Sequence, residues 1–352
     1  MKIEFYIGNL LLFLIYSILI NKLKYDRKKS GFVLFLISAI HILFIQSFLD
    51  NDKLLDSISY IYVFDNARYA SVSEIITEAM TNEWGIGFML YTKLISNFTN
   101  DIHFYYMITY AIIDIPLLWY FYKVSHNYTL TILLYLCHPM LFWDSNYILR
   151  QHMVISLSAL VIYYSNKNII AIPMTIVAVS MHLSGLILIP FLLWKNLDLS
   201  RASLSKIFFV VILSLVVMGA VFYRMIAQSD RYSGYLSADK SSNIVPFLLI
   251  GPLVVFLFYK RKHLYKDLQE SSLFEFLLYG LVIALFTVNS SFGRITTYFV
   301  AFVPAAASLL YKYPFKDRLL LNCYVLFAFA IEGVMLYLNC TNLFVGNLIQ
   351  NR

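Results

Sequence analysis

Long apolar runs separated by short basic segments constrain this chain more than any other feature. The first two runs, Phe5–Ile20 and Phe32–Leu49, approach the roughly 20 residues that an α-helix needs to cross a membrane. The chain is 60% hydrophobic and only 13% charged, whereas soluble domains have about 25% charged residues. We therefore predict an all-α, polytopic integral membrane protein. The net charge of +7 is explained by basic loops between spans, so no nucleic-acid partner is expected.

The hydropathy pattern predicts about ten full transmembrane helices in a single transmembrane domain over residues 1–352. The first apolar run is expected to be a span rather than a cleaved signal peptide, because it lacks a small-residue cleavage site. The predicted full spans are Phe5–Ile20, Phe32–Leu49, Phe104–Tyr122, Leu130–Trp143, Tyr147–Tyr164, Ile207–Ile226, Val245–Tyr259, Leu273–Val288, Ile295–Tyr311 and Leu319–Leu338.

The distribution of charge predicts the orientation of these spans. The basic segment Asn21–Ser30 is expected on the cytoplasmic side by the positive-inside rule, which puts both termini outside. Residues 50–100 contain many acidic residues and are predicted to be an external segment with helices in the interface, over Val72–Met80 and Ile86–Phe98. Residues 227–243 are predicted to be an external loop.

Residues 169–194 form an apolar run that is interrupted by the polar stretch Ser180–Ser184. Each half is only about a dozen residues long, too short for an ordinary span. Both flanks, at Lys167 and Lys195, have the charge expected of cytoplasmic loops, so the chain must leave and return. We predict a hairpin of two half-length helices with His182 at its outer tip.

Two arginines occupy matching places at the outer ends of inward-running helices. Arg150, followed by Gln151, opens one span, and Arg294 opens another, with Tyr298 one turn further along. Positive helix ends and guanidinium groups together favour binding of an anion such as a phosphate. The alternative is that both arginines extend to the lipid headgroups.

His182 and Glu83 are the titratable candidates for catalysis. An intramembrane histidine is a functional-site hypothesis by default, although His182 has the alternative of a hydrogen-bonded core residue. Glu83 precedes a predicted interfacial helix, where a solvated loop carboxylate is the alternative. No nucleotide-binding motif is present, and the histidines are too scattered to predict a metal site.

Several short motifs occur in the order typical of one family. They are Asp56-Ser-Ile-Ser-Tyr60, Glu83-x-Gly85-x-Gly-Phe88, Arg150-Gln151, Met181-His-Leu-Ser-Gly-Leu-Ile-Leu-Ile-Pro190, Arg231-Tyr232-x-x-Tyr235 and Arg294-x-x-x-Tyr298. Together they resemble the EpsG family of bacterial membrane proteins, over roughly Asp50 to Tyr311. These are proteins of the Wzy type, which polymerise the repeats of O-antigen (lipopolysaccharide), capsule or exopolysaccharide.

The resemblance implies a glycosyltransferase on the outer face of the bacterial inner membrane. The growing glycan on undecaprenyl pyrophosphate would be the donor, and a second lipid-linked repeat would supply the attacking sugar hydroxyl in an inverting transfer. Substrate-binding roles would fall to Arg150, Gln151, Arg294, Tyr298, Arg231 and Tyr235, with His182 or Glu83 as general base. No nucleotide or metal cofactor is expected. Membrane lipids and a chain-length regulator protein are the further partners implied.

Two alternatives from other classes remain open on the sequence. The first is a flippase or transporter of a lipid-linked glycan, which should carry charge along a central path between two halves. The second is a membrane O-acyltransferase that modifies the glycan, since such an enzyme also can use an intramembrane histidine. The charged candidates gather at one predicted face, which favours the polymerase.

Overall fold

The computed structural model of the protein describes residues 3–22, 27–47, 56–81, 84–138, 141–142, 144–146, 148–195, 216, 244–287, 295–313, 319, 322–331 and 333–334. Every regular element in these ranges is helical, and they contain no β-strand. The all-α prediction is confirmed. The α-helices are α1 Ile3–Lys22, α2 Arg27–Ser47, α3 Ser57–Tyr69, α4 Val72–Thr81, α5 Ile86–Ser96, α6 Ile102–Val124, α7 Tyr128–Cys137, α8 Leu149–Tyr163, α9 Asn168–Met181, α10 Leu188–Lys195, α11 Ile244–Tyr259, α12 Arg261–Leu264, α13 Leu268–Thr287, α14 Thr297–Val300, α15 Val303–Leu309 and α16 Asn322–Ile331.

Three helical segments in the described ranges are long and apolar enough to cross a membrane: Ser30–Ser47, Ile102–Val124 and Leu268–Thr287. The other predicted spans that fall in these ranges coincide with apolar helical segments of 10–17 residues, such as Ile7–Lys22 within α1 and Thr297–Lys312, which includes α14 and α15. The count of about ten full spans is therefore not confirmed. The predicted span Ile207–Ile226, apart from residue 216, and the predicted loop 227–243 lie outside the described residues.

The predicted span Ile295–Tyr311 is interrupted in the structure. It is divided into α14 and α15 by a turn at Ala301 and Phe302. Pro304 lies in the first turn of α15, where its missing N–H costs no helical hydrogen bond. The proline therefore favours a new helix start inside what hydropathy alone indicates as one continuous span.

The first half of the described chain builds the scaffold around α6. This helix packs against α2 and α8, and α8 packs in turn against α9. Asp101 caps α6, because its carboxylate accepts a hydrogen bond of 2.8 Å from the backbone N–H of His103. A large hydrophobic core runs through these helices and on through α11, α13, α14 and α15.

Helices α3, α4 and α5 form a second, smaller unit beside α6. The structure has helices at both places that the sequence predicts in residues 50–100, and α5 packs on both α3 and α4. Ser71 and Glu74 start α4 with a reciprocal capping box, in which Ser71 N–H donates to the Glu74 carboxylate at 2.6 Å. Buried side chains of α3–α5 join those of α6 and α8 in one cluster, called here the α3–α5 core: Tyr60, Val63, Phe64, Ala67, Ile75, Ala79, Phe88, Met89, Tyr105, Tyr106, Tyr110, Ile113, Leu149 and Met153.

Candidate active site

Arg150 lies at the start of α8 and is held against aromatic rings. Its guanidinium carbon is 4.2 Å from the centroid of the Trp84 ring and 6.0 Å from that of Phe88. Trp84 and Phe88 stack on each other at 5.9 Å and 19°, and Tyr60 meets both rings edge-on. A planar cation over an aromatic face is attracted by the ring's electrons. These rings therefore fix the orientation of the guanidinium.

Tyr60 connects α3 to the same arginine. Its side chain is buried, and its phenol interacts by hydrogen bonds with both the side chain and the backbone of Arg150. Burial raises the pKa of Tyr60, and the positive charge of Arg150 opposes that rise. The phenol is thus a neutral partner that holds Arg150 without cancelling its charge.

A buried polar network fixes the turn that precedes α8. The turn covers Asp144–Asn146. The hydroxyl of Tyr110 donates to the Asn146 carbonyl at 3.1 Å, and the Gln46 amide donates to the Asn146 side chain at 3.0 Å. Gln46 also donates to the Asp114 carboxyl at 2.8 Å, and the Tyr135 hydroxyl donates to it at 2.6 Å. The position at which α8 begins is therefore set by side chains of α2, α6 and α7.

Two glycines let the segment before α5 lie directly on the end of α9. A Cβ added to Gly85 would stand 2.2 Å from the carbonyl oxygen of Met181 and 2.4 Å from that of Ser180. A Cβ added to Gly87 would stand 2.2 Å from the Ser180 hydroxyl oxygen. Only residues without a side chain can pack this closely. The glycines of the Glu83-x-Gly85-x-Gly motif therefore join the Arg150 region to the His182 region.

His182 ends α9 and begins a short 3-10 turn, Leu183–Ile187. Its Nδ1 accepts a hydrogen bond of 3.2 Å from the backbone N–H of Ser184. The Ser184 hydroxyl is hydrogen-bonded both to Nδ1 of His182 and to the hydroxyl of Tyr298. Gly185 packs against the backbone of Ala178 in α9, at distances that a Cβ would not permit. The chain therefore folds back tightly just after His182.

Tyr298 belongs to α14 and contacts the turn that follows His182. The side chain is fully buried. Its neighbour Phe299 lies against Gly280 of α13, where an added Cβ would stand 2.3 Å from the ring. This close contact between α13 and α14 determines where Tyr298 meets Ser184.

The structure brings together some of the site residues predicted from the sequence. Arg150 stands beside Trp84, the residue after Glu83, and His182 is linked to Tyr298 through Ser184. Gln151 lies in α8 next to Arg150 and is half-buried. The remaining predicted site residues lie outside the described ranges: Glu83, Arg231, Tyr235 and Arg294.

Sequence reasoning did not single out Ser184, Asp114 or Gln46. Asp114 carried a signal, because a carboxyl in the middle of an otherwise apolar 23-residue helix is costly and therefore usually has a role. Ser184 carried only its place in the polar stretch Ser180–Ser184, and Gln46 carried no signal, since isolated small or amide side chains occur in many spans. In the described ranges no group of three or more His, Cys, Asp or Glu side chains is placed to hold a metal ion. Metal independence stays a prediction.

The fold and the site together define a helical membrane protein with a polar, cation-containing site at the ends of several helices. The model of the EpsG family matches residues 54–345, which is most of the chain. The protein therefore belongs to the EpsG family, a family of Wzy-like polysaccharide polymerases. The family resemblance of the sequence motifs is confirmed. No curated protein and no solved structure matches the chain.

Proposed function

We propose that the protein is a Wzy-type polymerase of undecaprenyl-pyrophosphate-linked oligosaccharide repeats. It acts at the outer face of the bacterial inner membrane and transfers the growing chain to a sugar hydroxyl of the incoming repeat. Membership of the EpsG family supports a membrane polysaccharide polymerase. The arrangement of Arg150 supports the finer assignment, because a fixed guanidinium at a helix start suits a pyrophosphate leaving group.

In the proposed reaction the acceptor hydroxyl oxygen attacks the anomeric carbon of the donor glycan. The new glycosidic bond forms as the bond from that carbon to the pyrophosphate oxygen breaks, with inversion of configuration. The lipid pyrophosphate leaves with the bonding electron pair, and a general base takes the hydroxyl proton. Arg150 binds the pyrophosphate and stabilises the charge that develops on it. Arg294, Arg231, Tyr235 and Gln151 are proposed to complete the binding of the two substrates.

The orientation of Arg150 is the observation on which this proposal depends. The planar guanidinium group of Arg150 is held by Trp84 and Tyr60 before substrate arrives, so little reorganisation is needed when charge develops on the leaving group. Aromatic side chains beside the cation also give a surface on which sugar rings can stack. We propose no nucleotide or metal cofactor, since the leaving group is already activated as a pyrophosphate. A chain-length regulator protein is a proposed partner.

Replacement of Arg150 tests the proposal. We expect Arg150→Ala to lower polymerisation by about 100-fold or more, because a preorganised charge in the transition state is lost. Arg150→Lys should retain part of the activity, since it keeps the charge but not the planar fork. Lys167→Ala is the matched control, because Lys167 is an exposed cation beyond the other end of α8. The measurement is the length of lipid-linked glycan made by purified protein from defined repeats, with a chelator present.

Unchanged chain length in Arg150→Ala would contradict the pyrophosphate role. A wild-type protein that moves lipid-linked repeats across vesicle membranes without lengthening them would instead be a flippase. Transfer of acyl groups to the glycan without lengthening would indicate an O-acyltransferase. Loss of wild-type activity on chelation would show that a metal ion takes part.

A further inference from the structure

The hydrogen bonds at Nδ1 determine which nitrogen of His182 carries the proton. The backbone N–H of Ser184 donates to Nδ1 at 3.2 Å. A backbone amide nitrogen is only ever a donor, so Nδ1 must offer its lone pair and holds no hydrogen. A neutral imidazole has one protonated nitrogen, which in His182 is therefore Nε2.

The Ser184 hydroxyl and the Tyr298 hydroxyl fit the same assignment. Ser184 Oγ is hydrogen-bonded to Nδ1 and also to the Tyr298 hydroxyl. Since Nδ1 has no proton to give, the Ser184 hydroxyl donates to it and accepts from Tyr298. The hydrogen bonds therefore form a chain with one direction: the Tyr298 hydroxyl donates to Ser184, and the Ser184 hydroxyl donates to Nδ1 of His182. Tyr298 is buried in the large hydrophobic core, which fixes the position of its ring.

This arrangement opposes a role for His182 as the general base. Nε2 already carries a hydrogen in the neutral ring and so has no lone pair with which to accept one. Protonation of Nδ1 would turn the contact with the Ser184 N–H into a donor–donor contact and reverse the chain through Tyr298. Both nitrogens are therefore poorly suited to receiving the proton of a sugar hydroxyl.

We infer that neutral His182 donates a hydrogen bond from Nε2 to an oxygen of the lipid-linked pyrophosphate, with Ser184 and Tyr298 as positioning residues. The inference rests on the proposed function, which supplies the pyrophosphate. A donor aimed at the leaving group strengthens as negative charge builds on that oxygen in the transition state. The base is then a different residue. Glu83 remains the candidate for it from the sequence.

Two amide replacements separate a donor from a base. In His182→Gln the amide NH₂ reaches the position of Nε2 and donates, but it cannot act as a base. In His182→Asn the shorter amide stands near Nδ1, where it can still accept from Ser184 N–H. We expect polymerisation in His182→Gln to stay within about tenfold of wild type, whereas His182→Asn loses about 100-fold or more.

Either of two other outcomes would overturn the inference. An equal, near-complete loss of polymerisation in both variants, with the unfolding temperature of each unchanged, would restore His182 as the base. Full activity in both would reduce it to a structural residue. If wild-type protein fails to lengthen lipid-linked repeats, the proposed function is at fault, and the protonation of His182 is then decided by the second measurement.

The second measurement is ¹⁵N NMR of protein labelled at histidine, which does not depend on activity. The signals of His182 are those that disappear in His182→Asn. We expect protonated Nε2 and unprotonated Nδ1 in the wild type at neutral pH, with a shift toward the other tautomer in Ser184→Ala. Tyr298→Phe removes the hydroxyl that donates to Ser184 and should weaken the preference less. A protonated Nδ1 in the neutral ring of the wild type would overturn the inference.

Discussion

The carboxyl of Asp114 lies fully buried in the middle of α6, a helix that is long and apolar enough to cross a membrane. Burial of an ionisable group is costly unless its hydrogen-bonding capacity is used. Here the Tyr135 hydroxyl donates to one carboxyl oxygen and the Gln46 amide to the other. Because Gln46 also holds Asn146, this one carboxyl helps to position the turn that precedes Arg150.

Replacement of Asp114 should therefore affect both stability and activity. Asp114→Leu leaves two buried donors without an acceptor, which costs about 1–3 kcal/mol for each. Asp114→Asn keeps one acceptor oxygen, so its loss should be smaller. Thermal unfolding in detergent measures the stability, and glycan length measures the activity. Asp65→Asn makes the same change at an exposed carboxylate of α3 and should leave both unchanged. A wild-type unfolding temperature in Asp114→Leu would contradict the role assigned to the network.

For single residues, the sequence indicates which side chains are candidates for the active site but not which side chains they contact. Arg150 and His182 stand out because charged or titratable groups near apolar helix ends are rare. Trp84 and Ser184 do not stand out, since Trp is common at membrane interfaces and Ser in helices. Their importance comes from tertiary contacts between segments distant in the chain. No local spacing contains that information.

Among the elements, the end of α9 is the point where the two halves of the site meet. Met181 packs against both the large hydrophobic core and the α3–α5 core. The segment containing Gly85 and Gly87 presses on the carbonyls of Ser180 and Met181 from one side. The turn containing Ser184 leads to Tyr298 on the other. A shift of this helix end would therefore move His182 relative to Arg150.

Gly85→Ala tests this contact between elements. The added methyl would meet backbone atoms of α9 at 2.2 Å and 2.4 Å, which cannot rotate away. We expect a loss of about 1–3 kcal/mol in stability, as for other overpacked sites, and a marked loss of polymerisation. Gly8→Ala is the control, because nothing lies within 4 Å of its added methyl and alanine favours a helix. If Gly85→Ala unfolds and polymerises like Gly8→Ala, the close contact is not required.

The break at His182 is an element-scale feature that sequence reasoning can reach. Two short apolar runs on either side of a polar stretch predict helices too short to span, and the structure has α9 ending at Met181 and α10 starting at Leu188. The contact with Gly85 could not be predicted. It depends on the absence of side chains at two positions, and glycines serve many other purposes in loops.

Across the whole molecule, the two ends of α8 have different surroundings. The end that begins near Arg150 lies beside Tyr60, Trp84 and Phe88. Near the other end, the Ser165 hydroxyl donates to Ser272 at the start of α13, at 2.9 Å. A helix of 15 residues is about 22 Å long, so the two regions are well separated.

The region at the far end of α8 contains a cluster of paired charges. Glu270 accepts hydrogen bonds from Lys312 at 2.8 Å and from the His126 ring at 2.9 Å. The structure brings these three residues, which are distant in the sequence, together in one cluster. The all-helical class follows from the hydropathy of the sequence. The number of full spans does not, because proline-broken segments such as the one with Pro304 mislead a count based on hydropathy.

Orientation in the membrane remains a prediction, and labelling of single cysteines tests it. In a protein whose own cysteines are replaced, Asn100→Cys introduces a thiol between α5 and α6, and Asn166→Cys introduces one between α8 and α9. Both positions are exposed. We expect a membrane-impermeant maleimide to label Asn100→Cys in spheroplasts, whereas Asn166→Cys reacts only after the membrane is opened.

The reverse labelling pattern would contradict more than the orientation. Lipid-linked repeats are presented to the proposed reaction at the outer face, so Arg150 and His182 must open toward that side. Asn100 lies on the α3–α5 side of the molecule, and Asn166 lies beside Ser165 at the other end of α8. Labelling of Asn166→Cys alone from outside would put the site on the cytoplasmic face, where the proposed polymerase could not meet its substrate.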